Sequence, residues 1–378
     1  MQPKEHTLKF AHWMLQEIYE QPETLAATFA HYVEGGAFRE EANGPAREWI
    51  AQTEGDIVIA ASGSSRHAGM VAELLIEDMS EIAVDVEYAS EYCYRCERSL
   101  KNASVMVISQ SGETADTLAA LRKASAAGHR TLAVTNVPDS TMAREANVSY
   151  PTLAGRERAI PATKSFTGQL IVLQLLALLA AEVRGTMSSD EIRDTLHSLE
   201  ALPAILADRL PEWESAAKAI AELNRPYKNF LFLGRGLHYP IAREGALKLK
   251  ESSYLHAEGY PSGELKHGPN ALVNDSTPLV MIATVDHNDE DSVQRYDKVI
   301  QLMQDMRAQG ARILCVANDG DVNAKALSDQ VFFVPSLRET VMPFAEVVVF
   351  QLLSYFMAVQ AGIDVDHPRN LVKAVISE

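Results

Sequence analysis

Between Arg243 and Pro269 the chain reads REGALKLKESSYLHAEGYPSGELKHGP, a run dense in glutamate, lysine and histidine. If its first part is a helix, Glu244, Lys248 and Glu251 fall at i, i+4 and i+7 and share one face. A carboxylate beside an ammonium, followed by a loop carrying His267, supplies three things that sugar proton transfer needs. These are a base, a positive charge to steady an enolate, and a second acid/base for ring opening. The same spacing also suits a solvated helix face, because i,i+4 Glu/Lys pairs are common on helix surfaces.

A second segment, VMVISQSGETADT at Val105 to Thr117, is an apolar run that ends at Ser109 and passes into a hydroxyl-rich turn with one glycine. A strand that ends in such a turn and opens a helix offers free backbone N–H groups and the positive end of the helix dipole to an anion. Ser109, Gln110, Ser111 and Thr114 add side-chain donors. The result is a phosphate cradle without a P-loop lysine, so no nucleotide is implied. A helix cap is the plainer reading of any one of these residues.

The elements that must position these residues occur twice. DIVIAASG at Asp56 to Gly63 and NFLFLGRG at Asn229 to Gly236 each run as an apolar strand into a glycine turn. Val105 to Ser109 is echoed by Pro278 to Ala283, and Thr131 to Asn136 by Arg312 to Asn318. Strand, helix, strand at this spacing predicts a parallel sheet covered on both faces, so the chain is expected to be α/β with two doubly wound three-layer domains. Ligands in such sheets bind at the carboxyl ends of the strands, where Ser64, Ser65 and Ser109 to Thr114 fall. Thr163 to Arg184 predicts a buried Leu/Ala-rich helix. A helical segment to about Glu222 then leads into the second copy, and a helix over His6 to Tyr32 is expected to pack on the domains.

A chain of 378 residues with 47% hydrophobic content can build two cores. No apolar run is expected to span a bilayer, and the first 30 residues lack an apolar signal centre, so a cytoplasmic protein is expected. The formal charge of -17 argues against nucleic-acid and membrane partners. Cys93 and Cys96, with only Cys315 besides, do not complete a zinc site, and the histidines show no metal-ligand spacing, so neither metal nor cofactor is expected. His67, His256 and His367 read as core histidines, and Gly234 to Gly236 as turn geometry.

Taken together, SGSSRHAG at Ser62 to Gly69, SQSGET, ALKLKE, GELKHGP and the final DVDHPRNLVKAVISE resemble the isomerase half of glutamine-dependent glucosamine-6-phosphate synthases, which consists of two sugar-isomerase (SIS) domains. The resemblance runs from near Glu17 to the last residue. It implies flavodoxin-like SIS domains at 41–190 and 215–363, an N-terminal helical segment at 1–40 and a C-terminal tail or lid at 364–378. It further implies that Glu251 moves a proton between C1 and C2 of the open-chain sugar. Burial of Glu251 is expected, to suit it to that task. His267 would open the ring, in the site of a neighbouring subunit of a homodimer, and Lys373 would form a Schiff base. Lys248 and Glu244 would orient substrate and base. Ser64 and Ser65 would hold sugar hydroxyls, while Ser109, Gln110, Ser111 and Thr114 would take the phosphate. Ile160 and Ala162 would also meet substrate. Ala162 stands where the synthase pattern has serine, which puts synthesis in doubt more than the fold.

The resembled enzymes carry a glutaminase domain with an N-terminal cysteine nucleophile, whereas this sequence begins MQPKEHTLKF and has no cysteine before Cys93. The expectation is a stand-alone protein, similar to SIS-type glucosamine-6-phosphate deaminases, that interconverts glucosamine 6-phosphate with fructose 6-phosphate and ammonia. An ammonia-dependent synthase or a fructosamine-phosphate deglycase is the alternative enzyme, and a non-catalytic sugar-phosphate sensor is the alternative from another class.

Overall fold

The computed structural model describes residues 8–96 and 102–375. Helices α1 (Trp13–Tyr19) and α2 (Gln21–Tyr32) are followed by a small hairpin, β1 (Val33–Glu34) with β2 (Ala37–Phe38), and by α3 (Glu40–Ala51). The single helix expected over His6 to Tyr32 is therefore two, divided at Glu20; Pro22 opens the second, as proline suits a first helical turn. His6 lies outside the described residues.

The first α/β unit runs β3 (Ile57–Ala61), α4 (Gly63–Ser80), β4 (Val84–Tyr88), α5 (Ala89–Tyr92), β5 (Ser104–Ser109), α6 (Ala115–Ala126), β6 (Thr131–Thr135), α7 (Thr141–Glu145), β7 (Val148–Pro151) and α8 (Lys164–Arg184). Helix α9 (Ser189–Asn224), opened by a capping box between Ser188 and Glu191, links it to the second unit. That unit runs β8 (Asn229–Gly234), α10 (His238–Ser253), β9 (His256–Pro261), β10 (Leu279–Ala283), α11 (Glu290–Ala308), β11 (Ile313–Asn318), α12 (Val322–Leu327), β12 (Gln330–Val334) and α13 (Met342–Gln360). Two short 3-10 turns, at Ser262–His267 and Pro269–Leu272, lie between β9 and β10.

Each sheet has five parallel strands, in the orders β4-β3-β5-β6-β7 and β9-β8-β10-β11-β12. The orders correspond strand for strand, which is the doubly wound duplication the sequence predicts. Strands β3, β5, β6, β10 and β11 are buried along their whole length, as apolar runs covered on both faces must be.

The long apolar helices sit between layers. α8 packs on α4 and α2, while α13 packs on α10 and α9. Lys164–Arg184 and Met342–Gln360 are, by length and composition, long and apolar enough to cross a membrane, so the expectation that no such run exists fails. Nearly all of both is buried inside the protein, and that burial accounts for their all-round apolar character.

Candidate active site

α10 presents the charged face that its spacing predicts. Glu244 and Lys248 are both fully buried, with Lys248 Nζ 3.5 Å from Glu244 Oε1 and also paired with Glu251 Oε2. Glu251 is the outermost of the three: its side chain is 22% exposed, so the expected burial is only partial. Glu244 is held from the first unit as well, because Ser64 Oγ donates to it at 2.8 Å and His67 Nδ1 lies 2.8 Å away, both on α4. Burial works against the Glu244 charge, yet Lys248, His67 and Ser64 outweigh it and hold the carboxyl below its ordinary value. Burial likewise opposes the Lys248 charge, but the Glu251 and Glu244 carboxylates raise its pKa above the ordinary lysine range.

The turn after β5 has the expected form. Thr114 is the N-cap of α6, and its hydroxyl lies 3.1 Å from Ser109 Oγ, which accepts from Gly112 N–H. Ser111 Oγ accepts from Glu113 N–H, so both serines shape the loop as well as face it. Gly112 has φ of +66°, and a Cβ there would stand 2.1 Å from Ser140 Oγ. Only glycine closes this turn.

Ser64, Ser65, Ser109, Gln110, Ser111, Thr114, Ile160, Ala162, Lys248, Glu251 and Lys373 line one cavity of about 220 Å³. Its floor is the first sheet's strand ends, one wall is α10, and Leu371 to Val375 line another side. Val375 carbonyl accepts from Ala115 N–H at 2.9 Å, the first residue of α6, which ties the tail to the turn. Farther back, Asp366 accepts from Trp13 and Met14 N–H and so caps α1. The tail residues after Val375 lie outside the described set.

His267 is not part of this cavity; it ends the first 3-10 turn and is exposed. Of the expected core histidines, His67 is buried, but His256 and His367 are exposed. His256 opens the edge strand β9, and His367 stands in the tail beside Asp364, so neither has a layer packed over it. The glycine turn at Gly234 is steric in origin, since a Cβ would meet His238 O at 2.1 Å. Among the described residues, no group of three or more His, Cys, Asp or Glu could hold a metal.

Sequence reasoning missed Glu157 and Gln169. Gln169 donates to Ser65 Oγ at 2.9 Å from the buried α8. Glu157, fully buried, accepts from Thr163 N–H, Ser165 N–H and Ser165 Oγ and is paired with Lys373. Its one legible signal is an acid a few residues ahead of the α8 pattern; that Thr163, the helix's N-cap, makes no side-chain cap bond shows only in the structure.

Residues 50–179 and 225–361 match the family model described as SIS domain. The glutamine–fructose-6-phosphate aminotransferase (isomerizing) of Chlorobaculum tepidum is 41% identical over 371 residues, 98% of this chain and 59% of that protein. The enzyme of the same name from Gloeobacter violaceus is 43% identical over 379 residues, with the same coverage. The chain thus spans 59% of the length of these curated relatives. The solved C-terminal domain of glucosamine-fructose-6-phosphate aminotransferase from Francisella tularensis matches with a TM-score of 0.88 at 37% identity, over 95% of this chain and 99% of that one. Glucosamine-6-phosphate deaminase from Thermotoga maritima shares the fold at a TM-score of 0.70 and 24% identity, over 96% of this chain and 99% of that one.

Proposed function

The chain belongs to the SIS-domain family, and from that premise we propose that it interconverts glucosamine 6-phosphate with fructose 6-phosphate and ammonia. The observation that carries the reading is a single cavity lined by the Ser109–Thr114 turn, the Lys248–Glu251 pair and Lys373. In this reading the turn holds the phosphate and Ser64 and Ser65 meet the sugar hydroxyls, with Ile160 and Ala162 against the chain of the sugar.

The chemistry then follows from the groups. Glu251 takes the C2 proton of the open-chain amino sugar and returns it at C1, while a proton passes from the amino nitrogen to O1, which converts the 2-amino aldehyde into a 1-hydroxy-2-imine. Lys248, already charged, faces the negative charge that develops between these steps, and Glu244 holds Lys248 in place. Lys373, an ammonium at rest, passes a proton to the C2 imine nitrogen and adds to C2 as the free amine, and ammonia leaves, so one imine replaces another. Water then adds to C2, the Lys373 amine leaves, and fructose 6-phosphate is released. The reverse sequence consumes ammonia, so the same residues serve synthesis. His267 is proposed to open the ring from a neighbouring copy of the chain, because its own cavity does not include it.

The test is a coupled assay that measures ammonia and fructose 6-phosphate released from glucosamine 6-phosphate, run also in reverse with ammonium salts. Equimolar release of both products supports the reading. Binding of the sugar phosphate without turnover in either direction would instead leave a sensor.

A further inference from the structure

Lys373 Nζ sits among three acceptors: the Glu157 carboxylate, Ala159 O at 2.8 Å and Ile160 O at 3.4 Å. An ammonium has three protons, so the site matches it donor for donor. Of the three acceptors only Glu157 carries charge, and it is fixed. Its oxygens take Thr163 N–H at 2.9 Å, Ser165 N–H at 3.0 Å and Ser165 Oγ at 2.6 Å, which anchors it to the start of α8. Burial opposes its ionisation, but Lys373 and these donors outweigh that and hold the carboxyl well below its ordinary value.

The carbonyls that complete the nest are held too. Glu17 of α1 is buried and accepts from Arg158 N–H and, at 3.2 Å, from Ala159 N–H, so the strip between Glu157 and Ile160 is clamped from its far side. The other charged groups around the two carboxyls are Lys164, itself paired with Glu20, and Lys248, one wall away on α10. Lys373 is the only one of these cations on the tail, where Leu371 to Val375 line the cavity. A lysine on a terminal segment has four side-chain torsions to fix, at a cost of about 2 kcal/mol in rotamer entropy, and backbone carbonyls alone direct an ammonium weakly.

We infer that Glu157 is a positioning residue: it holds the Lys373 amine at the cavity and, through it, docks the Leu371–Val375 segment as one side of the cavity. This rests on the reading of Lys373 as the imine-forming lysine. Glu157 does not itself reach the sugar; it acts through Lys373.

The test traps the imine by borohydride reduction with fructose 6-phosphate and follows the Lys373 peptide by mass spectrometry. Glu157→Gln keeps the side chain's shape and its acceptor for the α8 N–H groups but removes the charge. Trapping rate and kcat are expected to fall at least tenfold, with KM for the sugar phosphate within about threefold of wild type, because the phosphate turn is untouched. Glu157→Asp keeps the charge and is expected to recover part of the trapping. It also carries the test if the glutamine variant does not fold. Ser165→Ala removes one donor to the same carboxylate without touching the ion pair, and is expected to trap at near the wild-type rate. Wild-type trapping in both Glu157 variants, or an equal loss in Ser165→Ala, overturns the inference. Absence of any adduct in the wild-type protein overturns the underlying reading of Lys373 instead.

Discussion

Glu251 stands apart from Glu244 although the two share a helix face. Glu244 is sealed, with Ser64, His67 and Lys248 saturating its oxygens, whereas Glu251 keeps part of its carboxyl open to the cavity. A base must reach the carbon-bound proton, so in the proposed reaction the partly open Glu251 takes that role. Glu251→Gln is expected to lower turnover by two to four orders of magnitude while sugar phosphate still binds, which steady-state kinetics beside equilibrium binding will separate. Lys373→Ala is expected to abolish the borohydride-trapped adduct outright, since an imine requires a primary amine.

The turn between β5 and α6 concentrates the second set of expectations. Thr114→Val keeps the bulk of the side chain and removes its hydroxyl from the cavity. A hydrogen bond to a charged group contributes roughly 1.5 to 3 kcal/mol. Affinity for glucosamine 6-phosphate, read by calorimetry, should therefore fall about ten- to a hundredfold with little change in Tm. Gly112→Ala is the structural counterpart. Its Cβ would overlap Ser140 Oγ and approach Thr135 Oγ1 at 2.8 Å, on a backbone already at positive φ. Here the melting temperature itself should drop, by an amount corresponding to at least about 1 kcal/mol. An unchanged Tm would mean that the loop relaxes away from Ser140.

At the scale of the molecule, the second unit carries a buried charge cluster of its own. His238, at the start of α10, is buried against Glu346 Oε1 at 2.8 Å and Glu339 Oε1 at 3.3 Å, and Arg295 pairs with Glu339 from outside. Burial opposes the imidazolium, but the two carboxylates outweigh it and push His238 up to about 10. Because the folded value lies above the ordinary one of 6.5, this contribution to stability is fully present below pH 6.5 and is lost as pH rises through about 10. Thermal melts of wild type should lose stability across that window, and His238→Gln should flatten the slope there. A parallel slope in the variant would assign the pH dependence to other groups.

The placement of His267 makes a claim about assembly. If it serves a neighbouring copy's cavity, mixing inactive Glu251→Gln and His267→Asn subunits of a homodimer rebuilds one intact site in each mixed dimer, so about a quarter of wild-type turnover should return. Activity that stays absent after verified subunit exchange would remove the shared site.

The amino-acid sequence by itself determined the repeated strand–helix–strand pattern, the α10 charge triplet and the hydroxyl-rich turn, because each is local. Apolar runs such as Ile57–Ala61 and Leu279–Ala283 are buried on both faces and declare themselves without reference to neighbours. The edge strands Val84–Tyr88 and Gln330–Val334 are half exposed and mixed in composition, so only pairing with the strand beside each one defines them. The same limit governed single residues. His67 and His256 are chemically alike in the sequence, yet one faces Glu244 across the packed α4 and α10, and the other begins an open edge. Glu157 and Lys373 stand 216 positions apart. No spacing rule joins residues that far apart, and only the folding of the tail across the first sheet's strand ends brings that carboxylate and that amine together.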